Sequence, residues 1–397
     1  MLEIVPLEEI TARVTRLQAR LSKKDIGLAL MRQPADLFYY TGTVVDGFLA
    51  VPAGDPPLLL VRRPKERLAA AESPWNLAFY QEIKELPAQL AAAYPSWMGA
   101  LGLELDVMPA ALYLRLREQL FPGIPIHDLS PLIRRQRMVK SAYEIEQLRR
   151  AAAILDGAFA SAPEIIRAGL SELELAAAIE YRLRLLGHQG LVRLRGWEME
   201  MFIGHVLSGA SGLHLAYTDT PSGGLGFSPA FPQGASLKKL APGEPISIDL
   251  GACYHGYVAD MTRMYALGSL PDRAWQAWDL ILELYRLFEA EARPGVPTGD
   301  LYQRLWAEVR QQGWEEYFMG LGPDRVSFLG HGVGLELNEY PFITARFPFP
   351  LEADMVLAFE PKFFLPEIGM MGLEDTGRIT PQGIEWLTQT PRQVFII

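Results

Sequence analysis

Between Ile10 and Leu21 the apolar residues Val14, Leu17 and Leu21 recur at helical spacing, which predicts an amphipathic helix near the start of the chain. Strand-length apolar runs follow at Ile26–Leu30, Leu37–Tyr40, Gly47–Val51 and Pro57–Val61. Gly, Pro and Asp separate them, as turn residues separate strands. Leu101–Leu105 reads as another strand, and 109–120 and 128–138 read as helices. Strands alternating with helices in this way predict an α/β domain.

A break falls near Met138-Val139-Lys140. Ser141 followed by Glu144 is a capping box, in which each side chain satisfies a free backbone N–H of the other. Ile145, Leu148, Leu155 and Phe159 then share one helical face. Ser171 and Glu174 repeat the device before Leu175, Ile179, Leu183 and Leu186, with Gly187 placed to end the helix. Further helices are predicted over 272–292 and from Pro297 to near Gly313. Strand patterns occupy 245–266, 326–335, 354–363 and 371–379, and 218–233 reads as a long surface loop. The organisation expected is two domains, 1–135 and 136–397.

Composition narrows the function. Of 397 residues 49% are apolar, enough for a sizeable core and too many for wholesale disorder. The formal charge of -10 argues against a nucleic-acid or anionic-membrane partner, since both need a basic footprint. The single cysteine, Cys253, cannot form an internal disulfide and is expected as a small core residue. No apolar run approaches the roughly 20 residues of a membrane helix. The acidic start MLEIVPLEEI has no basic segment leading an apolar one, which argues against a signal peptide. The expectation is a soluble, cytoplasmic protein.

Five side chains stand out in the second half. The segment from Pro245 to Arg263 alternates on both sides of Gly256 and predicts a β-hairpin. One natural register sets Asp249 opposite Asp260, with Cβ atoms about 5 Å apart. Two carboxylates so placed repel unless a cation sits between them; in a slipped register one of them would face solvent. Glu360 and Glu374 lie amid apolar residues in a second hairpin turning near Pro366 to Gly369, where a lone carboxylate is costly to bury. The alternative there is an edge hairpin with two surface glutamates. His331 sits between glycines; a histidine in such a run is more often a core or turn residue than a ligand, and the segment lacks the Gly-Lys-Ser/Thr end of a phosphate loop. Two Asp, two Glu and one His make a hard, mostly oxygen ligand set. Four carboxylates suffice for two divalent ions, a centre suited to hydrolysis.

The order Asp249, Asp260, His331, Glu360, Glu374, in the motifs IDLG…ADMTR, GHGVGLELNE, FEPK and GLEDT, resembles the metal set of the creatinase, aminopeptidase P, prolidase and methionine aminopeptidase group, the pita-bread metallopeptidases of family M24. The resemblance covers nearly the whole chain. It implies an α/β N-terminal creatinase-like domain and an α+β C-terminal pita-bread domain. It implies that Asp249 and Glu374 bridge two metal ions, with Asp260 completing one site and His331 and Glu360 the other. A hydroxide between the ions would be the nucleophile, and Glu360 would also act as acid and base. Mn or Co would be the ions, with Zn or Fe as candidates. A small peptide or amide substrate and a homodimer are implied as well.

The sequence departs from that pattern near the substrate. Proline-specific members carry two further histidines. Straight counting puts Ala216 at the first place, with His214 two residues early, and Asn338 stands at the second. A two-residue deletion would bring His214 into the site. Asn338 can donate a hydrogen bond but cannot act as an acid near neutral pH. His205 is a candidate pocket residue on the strand before the loop, although a histidine in such a run is more often packed, and Tyr217 and Trp197 are candidate pocket walls and equally packing residues. Ser208 and Ser211 lie near His214, but without a Gly-x-Ser-x-Gly elbow they do not suggest a serine hydrolase. The reading is a metallohydrolase resembling the Xaa-Pro peptidases and prolidases. The missing histidines favour a rival of the same fold acting on a small non-peptide compound, as creatinase does. A non-catalytic binding module ranks last, because all five ligands are present.

Overall fold

The helix predicted at the start forms over Leu7–Lys23 and buries Ile10, Val14, Leu17 and Leu21. Glu8 and Glu9 in its first turn and Arg20 and Lys23 in its last oppose the helix dipole. This is a computed structural model of the chain, describing residues 4–64, 74–196, 203–346 and 348–397. Trp197 lies outside the described residues. The chain divides into two units, Met1–Arg137 and Met138–Ile397.

In the first unit the short apolar runs become β1 (Ile26–Met31), β2 (Asp46–Pro52), β3 (Leu58–Arg63), β4 (Asn76–Phe79), β5 (Ala100–Leu103) and β6 (Ile126–Asp128). They form one six-stranded sheet in the order β4-β3-β2-β1-β5-β6. β1 pairs antiparallel with β2 and parallel with β5, so the sheet is mixed. Leu28, Leu30, Phe48, Leu60, Leu101 and Leu103 pack in its core. The run Leu37–Tyr40, expected as a strand, is instead helical, within Pro34–Thr41. Gln33 caps that helix by accepting from the Asp36 N–H at 2.8 Å, and Gly42, at φ 72°, ends it. Four consecutive apolar residues carry no period of their own, so the flanking Gln-Pro start and Gly stop decide the outcome.

In the second unit both predicted capping boxes form, at the starts of helices Ala142–Ala160 and Glu172–Leu185. Helices Asp272–Glu291 and Thr298–Gln311 follow as expected. A four-stranded sheet, in the order β17-β9-β8-β7, contains β7 (Gly204–Ser208), β8 (Pro245–Tyr254), β9 (Tyr257–Ala266) and β17 (Val394–Ile396). A five-stranded sheet, in the order β11-β10-β12-β15-β16, contains β10 (Gly330–Gly332), β11 (Glu339–Phe342), β12 (Val356–Phe359), β15 (Asp375–Thr380) and β16 (Gly383–Trp386). β13 (Lys362–Leu365) and β14 (Gly369–Gly372) pair separately. The two larger sheets meet where Thr262 and Glu374 exchange backbone hydrogen bonds at 3.3 Å. The core beside this junction includes Trp278, Ile281, Phe288, Leu305, Phe318, Phe359 and Phe363. Among the described residues no helix is long and apolar enough to cross a membrane.

Candidate metal centre

β8 and β9 are joined by the two-residue turn His255-Gly256, at φ 47° and 88°. Such left-handed turns match the twist of paired strands. The turn pairs Tyr254 with Tyr257, hence Asp249 with Thr262 and Asp260 with Gly251. The two aspartates are therefore diagonal neighbours, not directly opposed as the sequence pattern suggested. The turn lies one residue later, which slips the register by two. Side chains alternate with period two, so both carboxylates still share a face.

The hairpin carrying the glutamates is broken in the middle. β12 pairs with β15 as far as Phe359 opposite Asp375, and β13 pairs with β14 from Lys362 opposite Gly372. The same register runs through the gap and sets Glu360 opposite Glu374. The interruption, at Glu360-Pro361 and Leu373-Glu374, leaves the two glutamates between sheets. His331 enters from β10, between β11 and β12. Its flanking glycines permit this: a Cβ at Gly330 would lie 2.4 Å from the Ala358 carbonyl oxygen, and one at Gly332 2.2 Å from that of Tyr340.

All five predicted ligands are buried. His331 Nε2 lies 3.9 Å from Asp260 Oδ2, 3.6 Å from Glu360 Oε1 and 3.8 Å from Glu374 Oε1. One donor atom each from Asp260, His331 and Glu374 lies within 4.8 Å of the others. Among the described residues, the buried Glu374 Oε1 has no hydrogen-bond partner. A buried carboxylate oxygen in that state is unfavourable unless a cation or proton completes it, so this side of the centre fits a divalent ion. Burial, with Asp249 and Glu360 close by, pushes the Asp260 carboxyl up to about 8. Burial and Asp260 likewise raise Glu374 well above the usual carboxylate range.

The Asp249 side differs. Lys362 Nζ lies 2.9 Å from Asp249 Oδ2, 2.7 Å from Glu360 Oε2 and 3.5 Å from Glu374 Oε2. Burial works against its charge, but those carboxylates outweigh it and hold the ammonium well above its ordinary range. Burial would also raise Asp249; the charge and hydrogen bond of Lys362 overcome it and keep Asp249 below the usual range. Lys362 stands in the FEPK motif, yet sequence reasoning passed over it, because an isolated lysine in a strand reads as a surface residue. Its position two residues after Glu360 was the available signal, since that spacing puts both side chains on one face.

A second set of groups holds the ligands in place. Thr262 Oγ1 donates to Glu374 Oε2 at 2.9 Å, and Thr376 Oγ1 accepts from the Asp260 N–H. Buried Arg263 donates to the carbonyl oxygens of Thr262, Glu374 and Thr390 and pairs with Asp375 at 2.6 Å.

The other candidates separate. His205 lies directly opposite Asp249 across β7 and β8. Burial lowers its imidazole to about 4, so it is neutral at pH 7. His214 follows the short turn Gly209–Leu213 and is exposed; its carbonyl oxygen accepts from Gly223 and Gly224. Asn338 has another role from the one expected: its Oδ1 accepts from the Arg195 N–H at 2.8 Å and its Nδ2 donates to the Arg195 carbonyl at 2.9 Å. Both polar atoms of the amide are thus committed to backbone. Tyr217 is exposed and meets Phe231 edge-on, inside the loop region. Ser208 and Ser211 both donate to buried Glu172, which also anchors Ser236 at the far end of the 218–233 loop. Cys253 is buried, its thiol pushed up to about 12, as a core residue should be.

The Metallopeptidase family M24 model matches residues 146–381, and the Creatinase/Prolidase N-terminal domain model matches 13–139. The chain belongs to metallopeptidase family M24. Among M24 relatives, it is 27% identical over 385 residues to the Xaa-Pro dipeptidase of Pyrococcus furiosus, across 96% of this chain and 99% of that one. The crystal structure of the prolidase from Pyrococcus horikoshii OT3 superposes with a TM-score of 0.80 at 26% identity, covering 97% of this chain and 100% of that one. The X-Pro aminopeptidase from Thermotoga maritima gives 0.79 at 26% identity, covering 97% and 99%. The chain is thus an Xaa-Pro peptidase-like M24 metallohydrolase, with a creatinase-type N-terminal domain before its pita-bread domain.

Proposed function

We propose that this metallohydrolase cleaves an amide bond near the end of a small peptide, with Xaa-Pro dipeptides as the first substrates to test. The observation that carries the reading is the convergence of Asp260, His331 and Glu374 around a buried Glu374 oxygen that has no hydrogen-bond partner among the described residues. These three residues would hold a divalent ion, which when bound acidifies water and polarises a carbonyl. The chain's own groups supply the rest. Glu360 turns Oε1 towards His331 and Oε2 towards Lys362, so Oε1 is the atom available to take up and return a proton. Thr262 and Arg263 fix Glu374, and neutral His205 packs beside Asp249 without adding charge. The M24 resemblance supports Mn or Co as the metal and a homodimer as the assembly, and the single cysteine is consistent with a cytoplasmic setting.

The position of Asn338 favours one further reading, a small non-peptide amide as substrate. The amide at the second family-histidine position is bound to Arg195, and the histidine nearest the first is exposed, so the groups that proline-specific members use are not presented. The test is turnover by the Mn²⁺- or Co²⁺-loaded protein of an Xaa-Pro dipeptide panel beside a panel of small amides and guanidino compounds. Cleavage of the dipeptides alone supports the first reading and cleavage of the small amides alone the second. No turnover and no bound metal would remove both.

A further inference from the structure

Four carboxylates converge on the centre, and the chain brings a cation of its own to them. The three N–H bonds of Lys362 reach Asp249, Glu360 and Glu374, three of the five residues that the M24 resemblance assigns to metal. The lysine is built into the site. Its side chain is 1% exposed. It leaves β13 opposite Gly372, where a Cβ would lie 2.7 Å from the lysine Cγ and 3.4 Å from its Cδ. The stem therefore runs through space that only a glycine leaves open. The oxygens facing away from the ammonium, on Asp260, Glu360 and Glu374, all lie within 3.9 Å of His331 Nε2. The centre is thus divided into an ammonium half and a histidine half.

We propose that the Lys362 ammonium takes the place of one of two family metal ions, so that the centre binds a single divalent ion on its His331 side. Carboxylate oxygens bind a transition-metal ion at about 2.0–2.2 Å, inside the shell that Nζ fills around Asp249 and Glu360. A second ion there would meet a like charge at close range in a buried site. Lysine suits the role because its ammonium is a compact point charge with three donors. It neutralises Asp249 and fixes Glu360 Oε2, leaving Oε1 for the reaction.

This inference rests on the metallohydrolase reading, and one experiment separates the two. Mn²⁺, and in parallel Co²⁺, is titrated into full-length, chelator-treated protein by calorimetry, and the ions retained after desalting are counted by elemental analysis. The wild type is compared with Lys362→Met, which keeps the stem and removes the charge. The expected result is one ion per chain in the wild type and two in Lys362→Met, with a larger metal-induced rise in unfolding temperature in the variant. Two ions in the wild type, or one ion in both proteins, overturns the inference and leaves the metal-dependent reading standing. No ion in either protein overturns both. If Lys362→Met folds only with metal, Lys362→Gln, which keeps polarity at the position, is counted in the same way.

Discussion

Replacing Arg263 with methionine tests how the ligands are held. Arg263 is fully buried and binds Asp375 at 2.6 Å. It also donates to the carbonyl oxygens of Thr262 at 2.8 Å, Glu374 at 2.7 Å and Thr390 at 2.6 Å. Methionine is close in volume, so the loss is electrostatic rather than a cavity. Removing one partner of a buried pair costs roughly 3–5 kcal/mol, because the other charge stays buried. Asp375 keeps Arg392 at 2.8 Å and Thr388 at 2.6 Å. Thr262 and Glu374 also keep their mutual backbone bonds. The lower end is therefore expected, about 3 kcal/mol. For a unit of this size that lowers the melting temperature by about 6–12 °C. Thermal unfolding followed by circular dichroism, with urea midpoints alongside, reads the effect. Because Arg263 holds the Glu374 carbonyl, metal affinity should fall as well. The double variant Arg263→Met/Asp375→Asn should be less destabilised than the sum of its singles, since the stranded charge is gone. A single-variant loss below about 1 kcal/mol, or strict additivity in the double, would refute the assignment of Arg263 as the clamp.

Asp260→Ala removes one of three converging donors, so bound Mn²⁺ should vanish on desalting; unchanged metal content by elemental analysis would sink the centre. Asn338→Ala breaks two hydrogen bonds to Arg195 and should cost about 1–3 kcal/mol while leaving kcat/KM of the folded, metal-loaded protein near that of the wild type; a large fall in kcat with unchanged stability would restore Asn338 to the reaction. In metal-free protein, Asp260 titrates near 8 against an ordinary 3.8. The native state thus holds a proton that the unfolded chain has lost, and stability falls as pH rises through that window. His205, lowered from 6.5 to about 4, acts in the opposite sense up to pH 6.5. The unopposed fall lies between pH 6.5 and 8, at roughly 1 kcal/mol per pH unit. Urea midpoints at those two pH values check it, and a flat or rising trend would contradict the stated burial of Asp260.

The amino-acid sequence determined the parts whose causes are local. Spacing placed the Leu7–Lys23 helix, and the Ser-x-x-Glu boxes marked where two helices begin. Alternation around Gly256 foretold the first hairpin and the turn near Pro366 the second, and residue types together with the M24-like motifs picked out the five candidate ligands. The tertiary structure decided whatever depends on closure between distant segments. A turn one residue later than expected slipped Asp249 and Asp260 to diagonal places, and only the period of two kept them on one face. The tetrad Leu37–Tyr40 was too short to show a period, so its caps made it a helix. Asn338 looked like a substitute for a catalytic histidine until Arg195, 143 positions earlier, took both its polar atoms. Lys362 was one more charged residue in an apolar run. It became the cation of the centre because Gly372, on the paired strand, leaves room for its stem, and because Asp249 arrives from another sheet. Residue chemistry and local period travel with the chain, but which charges neutralise which is settled when the sheets come together.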